Sequence, residues 1–172
     1  MARRRCKARP VSRLLMSGLL LSGLVGALAC QNAWALLQSC SVSTAPVNFG
    51  TYNPLAGTPL TATGTVTVTC TVTGIGLLES WTIALSQGNS GHFSSRSMLN
   101  GGSLLSYNLY TSAAYTNVWG DGSGSTSLVS SSLTLLQVGN TSFNYPVYGV
   151  IPAGQDAAAG TFLDSIVVTL NY

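Results

Sequence analysis

Between Thr65 and Thr73 the chain alternates without a break, with Val66, Val68, Cys70 and Val72 on one side and five threonines on the other. A period of two puts neighbouring side chains on opposite faces of an extended backbone, and β-branched residues suit that surface. The stretch is therefore a strand with one dry face and one wet face. The same period returns in Trp81, Ile83 and Leu85 against Thr82, Ala84 and Ser86, and in Leu105, Tyr107 and Leu109 against Ser106, Asn108 and Tyr110. Phe143 to Ile151 reads as a strand despite Pro146, and Ser41 to Gly50 as a broken one, because Pro46 is barred from the centre of a sheet. Leu133 to Val138 fits either a short strand or one helical turn. Arg96 to Gly102 carries a basic residue and then a tight turn, and Asn53-Pro54, Gly57 to Pro59, Gln87 to Gly91, Trp119 to Ser127 and Pro152 to Gly160 read as turns and loops. The sum is six to seven short strands with no long helical period, the pattern of an all-β sandwich.

The last stretch repeats the alternation. Ile166, Val168, Leu170 and Tyr172 face one way and Ser165, Thr169 and Asn171 the other, with Val167 the apolar exception. No turn residue or further strand follows to pair beside it. This strand is expected to end a sheet that needs a neighbour, or to leave an edge.

The N-terminus reads as a segment for export. Six of the seven basic residues lie in Met1 to Arg13, an apolar run with small residues follows from Leu14 to Cys30, and Ala33-Trp34-Ala35 forms a small-residue cleavage site. The run is 17 residues long, short of the ~20 a membrane-spanning helix needs. A lipid-anchored Cys30 is the weaker alternative, since Ala27-Leu28-Ala29 places its leucine one position late. The expected division is a removed signal over 1–35 and one domain over 36–172. Beyond the signal Arg96 stands alone against Glu79, Asp121, Asp156 and Asp164, so the basic balance of the whole chain gives no reason to expect nucleic acid. Cys40 and Cys70 are the two cysteines left, most simply one disulfide in an exported chain. Zinc would need more ligands than these and the single His92 can supply.

Little of the chemistry of catalysis is available. General acid–base or nucleophilic work needs converging titratable groups, and the domain has one histidine, one glutamate, three aspartates and no lysine. His92 sits between turn residues and reads as a solvent-exposed loop histidine. Asp121-Gly-Ser-Gly resembles part of a calcium loop but lacks the other acidic ligands, and no phosphate loop or dinucleotide fingerprint is present. Arg96 could take a carboxylate ligand, or pair within the fold with Asp164 or Glu79. No enzyme, metal or cofactor is expected.

Several segments taken in order carry a resemblance: Cys40-Ser-Val-Ser, Val47-Asn-Phe-Gly-Thr-Tyr-Asn-Pro54, Gly64-Thr-Val-Thr-Val-Thr-Cys70, Arg96-Ser-Met, Leu105-Ser-Tyr-Asn-Leu-Tyr110, Trp119-Gly-Asp-Gly122, Tyr148-Gly-Val-Ile-Pro152 and Gly160-Thr-Phe-Leu-Asp164. Over Cys40 to Tyr172 the chain resembles the spore coat protein U domain family, which includes subunits of archaic chaperone–usher pili. The resemblance implies an incomplete immunoglobulin-like sandwich completed by a donated strand, first from a periplasmic chaperone and then from the next subunit. It implies a chaperone, an outer-membrane usher and other pilus subunits as partners, and passage through the periplasm to a fimbrium at the cell surface. Cys40 and Cys70 would be the family disulfide, and Ile166, Val168, Leu170 and Tyr172 would edge the acceptor groove. A secreted spore-coat or cell-surface structural protein of the same fold that does not polymerise by strand donation is the alternative.

One feature departs from a shaft subunit. Cleavage after Ala35 leaves only Leu36 to Ser39 before Cys40, a span of about 13 Å at ~3.3 Å per residue, too short to fill a groove. A subunit that accepts a strand and has almost none to give suits the tip of a fibre, where Tyr115 and Trp119 are candidates for contact with an unidentified surface. N-terminal sequencing of the exported protein is expected to begin at Leu36. A start at Cys30 would instead leave ten residues before Cys40, among which Ala33, Ala35 and Leu37 alternate as a short donor.

Overall fold

The computed structural model describes residues 38–72, 77–135 and 138–172, so the expected signal over 1–35, Cys30 included, lies outside the described residues. Eight strands follow in order: β1 (Gln38–Ala45), β2 (Leu60–Val72), β3 (Leu77–Leu85), β4 (Arg96–Asn100), β5 (Ser103–Tyr110), β6 (Val129–Leu135), β7 (Gly139–Ile151) and β8 (Val168–Asn171). They form two sheets, one of five strands in the order β1-β2-β7-β5-β4 and one of three in the order β6-β3-β8. Every ladder is antiparallel. The all-β sandwich expected from the alternation is what the chain forms.

Each strand's period decides what it buries. On β2 the dry side, Val66, Val68, Cys70 and Val72, is buried, and the first three meet Trp81, Ile83 and Leu85 from β3 in one core with Leu105, Tyr107 and Leu109 from β5. Two polar tips cross this core without leaving an unmet donor. The Trp81 indole N–H donates to the Tyr145 hydroxyl at 3.0 Å, and the Trp119 indole N–H donates to the Ile83 carbonyl at 3.0 Å.

The prolines sit where the ladders allow them. Pro46 follows the last residue of β1 and ends it. Pro146 lies inside β7, opposite Thr65 of β2, but β5 pairs with β7 only at Tyr148 to Val150. Along the Pro146 stretch β7 therefore borders no strand on its second side, and the missing N–H costs no ladder bond.

Three stretches differ from the sequence reading. Arg96–Asn100, read as the approach to a turn, is the short strand β4, which pairs with β5 and brings the count to eight. Leu133 falls in β6, a strand because Val129–Leu135 lies along β3. The terminal alternation is longer than its ladder: only Val168–Asn171 pairs with β3, whereas Leu163 pairs across to Leu99 of β4 as an isolated bridge.

Past Pro46 the chain lies flat on the five-stranded sheet because Gly149 lacks a side chain there. A Cβ on Gly149 would stand 2.6 Å from the Phe49 ring and 2.7 Å from a Val47 methyl, closer than packing permits. Cys40 and Cys70 stand opposite each other in the β1–β2 register, with Cα atoms 4.0 Å apart, and are joined by a disulfide. The bond ties an edge strand to an interior one across a loop of 30 residues, and by loop entropy stabilises the fold by about 3.7 kcal/mol. Replacing both cysteines by alanine is expected to lower unfolding free energy by about 3 to 4 kcal/mol. The intact mass of the wild-type protein should rise by two hydrogens on reduction, and two free thiols in the native protein would refute the pairing.

Candidate functional site

β1 hydrogen-bonds only to β2, and β8 only to β3. The two strands approach within 8 Å at their Cα atoms, yet no ladder joins them. Each therefore presents one unpaired backbone edge among the described residues, and the two edges lie side by side. The segments that follow β1 and precede β8 line a cavity of about 820 Å³. Val47 and Phe49 line one side, Phe162 and Leu163 the other, and Leu105 and Ile151 the floor.

The side chains that lead into β8 are only partly covered. From Phe162 to Leu170 every second residue, Phe162, Asp164, Ile166, Val168 and Leu170, is half-buried, and the residues between them are exposed. Four of these five are apolar and pack against the core, as Cys40, Val47 and Phe49 do from the β1 side. A closed sandwich would bury such side chains fully; here they touch the core and remain open to solvent. The free edge of either strand offers unpaired backbone groups, and the half-buried side chains of Phe162 to Leu170 lie beside the free edge of β8.

The rim that carries β8 is fixed by polar contacts. The Asp164 carboxylate accepts the Asn89 N–H at 2.8 Å, the Ser165 N–H at 2.7 Å and the Tyr107 hydroxyl at 2.7 Å. Gly88 makes room for it, since a Cβ there would collide with the carboxylate and the backbone has φ +67°. One step along, the Ser86 N–H donates to the Val167 carbonyl and the Ser86 hydroxyl accepts the Val167 N–H, both at 2.9 Å. Ser86 is held in turn by Arg96, which is fully buried. The guanidinium donates from Nε and Nη2 to the Ser86 carbonyl at 3.0 and 2.8 Å, from Nη2 to the Trp119 carbonyl at 2.7 Å and from Nη1 to Asn108 Oδ1 at 2.8 Å. Burial lowers the Arg96 pKa, and the nearby Tyr107 and Asp164 act against that. Tyr107 is pushed well above the ordinary tyrosine range by burial first and then by its bond to Asp164.

The residues singled out in the sequence fall in different places. Ile166, Val168 and Leu170 lie along the gap, and Tyr172, past the end of β8, is 57% exposed. Trp119 has no exposed surface, because its indole fills the core and its N–H is taken by Ile83; it cannot touch a partner. Tyr115 is 38% exposed. Arg96 meets carbonyls and an amide where a carboxylate was expected, and Asp164 serves Tyr107 and two backbone amides. The His92 side chain is exposed. Asp121 closes a local turn by accepting from the N–H and hydroxyl of Ser123, which lowers its pKa, and no cluster of three metal-ligating side chains exists among the described residues. The β1 side of the gap was missed in the sequence. Its signal, Val47 and Phe49 alternating straight after Pro46, was masked by the proline.

A family model described as Spore Coat Protein U domain matches residues 27–169. The chain is 32% identical over 151 residues to "Protein U" of Myxococcus xanthus, covering 78% of both chains. Among solved structures it is similar, at TM-score 0.52 and 22% identity, to a chain of the CsuC–CsuE chaperone–tip adhesion subunit pre-assembly complex from the archaic chaperone–usher Csu pili of Acinetobacter baumannii. That likeness covers 79% of this chain and 40% of the solved one, so this chain spans well under half of that relative's length.

The Tyr107–Asp164 bond gives the rim a pH limit. Below the ordinary tyrosine pKa of 10.0 the hydroxyl is protonated in both folded and unfolded chains, and it contributes no pH dependence. Above it the unfolded chain releases the proton and the folded chain keeps it, so stability falls as pH rises. Denaturant titrations of the wild type at successive pH values above about 10 are expected to show a steeper loss than Tyr107→Phe. Equal slopes in the two proteins would disprove the assignment.

Proposed function

The chain belongs to the Spore Coat Protein U domain family, and we propose that it is a structural and adhesive subunit of a chaperone–usher fibre, exported through the periplasm to the cell surface. The observation that carries this reading is the pair of unpaired edges, β1 and β8, beside a half-covered core. A strand supplied by a periplasmic chaperone would pair with a free edge and cover the half-buried side chains beside it, and a strand from another subunit would replace it in the fibre. Ile166, Val168, Leu170 and Tyr172 would form the acceptor edge on the β8 side. An outer-membrane usher would then export the assembled subunit. The solved relative comes from a complex of a chaperone with a tip adhesion subunit, which supports the same class of partner.

The place in the fibre follows from the donor segment. With the signal removed after Ala35, Leu36 to Ser39 is too short to complete another subunit, so this chain accepts a strand at the tip and gives none. The family match and the likeness to "Protein U" favour a second reading, a secreted spore-coat or cell-surface structural protein of the same fold that does not polymerise by strand donation.

The test is to express the full chain in a periplasm alone and together with a periplasmic chaperone of archaic chaperone–usher pili. Alone it is expected to aggregate or be degraded, and with the chaperone to be recovered as a soluble one-to-one complex. Replacing Val168 by Arg on the acceptor edge is expected to abolish that capture. A soluble monomer that melts cooperatively with no partner would reject the fibre reading and favour the coat protein.

A further inference from the structure

The face of the five-stranded sheet turned away from the core is as regular as the core itself. The outward residues of β2 are Thr61, Thr63, Thr65, Thr67, Thr69 and Thr71. Ser39, Ser41 and Ser43 of β1 stand opposite Thr71, Thr69 and Thr67 on one side, and Asn140, Ser142 and Asn144 of β7 on the other. Hydroxyl and amide groups thus stand in rows about 6.8 Å apart along the strands and about 4.8 Å apart across them. Cross-strand bonds hold the rows, with Thr67 Oγ1 donating to Asn144 Oδ1 at 2.8 Å and Thr69 Oγ1 2.8 Å from Ser142 Oγ. No Asp, Glu, Lys or Arg occurs anywhere in β1, β2, β5 or β7.

Tyrosines close one end of this grid. Thr63 stands opposite Tyr148, and Tyr148 opposite Tyr110. Tyr115 reaches over from the following loop and meets both rings edge-on, with centroids 5.7 Å from Tyr110 and 6.4 Å from Tyr148. It does so at φ +53°, a left-handed backbone that a bulky side chain rarely adopts. The loop thus holds an aromatic ring at the surface, 38% exposed, in a conformation that local sterics disfavour.

We propose that this face, from the Tyr110–Tyr115–Tyr148 platform along the threonine rows, binds an uncharged polysaccharide. The match is one of charge and of group. A face without a single ionic side chain offers nothing to pair with a charged partner, and its desolvation by a neutral one costs no buried charge. Rigid tyrosines give amphipathic contact area at small entropic cost, and short hydroxyl and amide side chains give adaptable hydrogen bonds, a division of labour that recurs on recognition surfaces. Sugar rings present the complementary pair, an apolar face of C–H groups and a rim of hydroxyls. The surface lies on the outer side of β2, β5 and β7, away from the gap between β1 and β8. An occupied groove leaves it free, and the proposal does not depend on how that groove is filled.

The experiment is retention of the full exported chain, with any chaperone bound to it, on cellulose, chitin and starch granules, with alginate gel and polystyrene beads as charged and apolar controls. Retention is expected on at least one of the three neutral polysaccharides, and to persist in about 0.5 M salt, where surface ionic attraction is screened. Tyr115→Asn keeps a residue that tolerates positive φ, and is expected to weaken retention about tenfold, as is Tyr148→Ser. Thr63→Lys, an exposed change beside Tyr148 that leaves the core alone, should weaken it as well, with chaperone capture and melting temperature unchanged. Failure to bind all three polysaccharides, binding confined to alginate or polystyrene, or binding that survives both Thr63→Lys and Tyr115→Asn would overturn the proposal. So would loss of binding only together with loss of the fold.

Discussion

A single buried cation organises this sandwich. Arg96 uses its planar set of donors on the end of β3 at Ser86, on β5 at Asn108 and on the loop carbonyl of Trp119, and all three acceptors are neutral. Asn108 extends the bond outward by donating to the Phe93 carbonyl at 2.8 Å, and the Phe93 ring lies 5.3 Å from the guanidinium carbon. Burying a charge costs several kcal/mol unless its hydrogen bonds are met, so geometry is enforced on every partner at once. Lysine could not do this, since its point charge lacks the fork that spans two carbonyls and an amide. Because Ser86 holds Val167 by both its N–H and its hydroxyl, the position of the terminal strand traces back to the same guanidinium. The edge that borders the gap is thus fixed from within the core.

The rest of the domain is built almost without charge, and that has two consequences. Cross-strand bonds between threonine, serine and asparagine replace the ion pairs that commonly lace a sheet surface, so the outer face is orderly and weakly sensitive to salt. Tertiary links are made instead by hydroxyl and indole groups, as where Tyr52 donates to the Pro152 carbonyl and accepts the Gln155 N–H. Gln155 then bonds both backbone groups of Ser106 on β5. These bonds pin the turn after β7, and with it the start of the segment that runs along the cavity.

Period-two alternation made most of the fold legible in the sequence, because burial in a two-layer sandwich follows that period residue by residue. Where the signal failed, a tertiary cause can be named. Leu133 was ambiguous between strand and helix until the β3 ladder decided it. Trp119, set among glycines and serines, was a candidate for surface contact, with core or edge packing as its other reading; a loop that folds back to pair with Leu109 and Ser127 carries it into the core. Arg96 was read through charge, so a carboxylate partner was expected, whereas the fold meets it with carbonyls that no sequence pattern displays. Asp164 carried an unused clue: it shares the parity of Phe162 and Ile166, and a carboxylate on the dry side of a strand must have donors waiting for it.

The open edges themselves lack the usual protection. Exposed strands in stable monomers are commonly blunted by lysine, by an inward charge, by a bulge or by proline. β1 reads Gln-Ser-Cys-Ser-Val-Ser-Thr-Ala and β8 Val-Thr-Leu-Asn, with no charge in either, and the one proline nearby comes only after β1 has ended. The disulfide holds β1 to β2 and leaves its other side bare. Repulsion could have been built in with two or three substitutions at no cost to the core, since the outward residues of both strands are exposed. Edges kept free of it are poorly suited to solvent and open to pairing with another strand, because a charge that blocked aggregation there would also block any strand that was to pair. The lack of charge that fails to guard these edges against aggregation is thus also what the proposed strand-accepting surface would require.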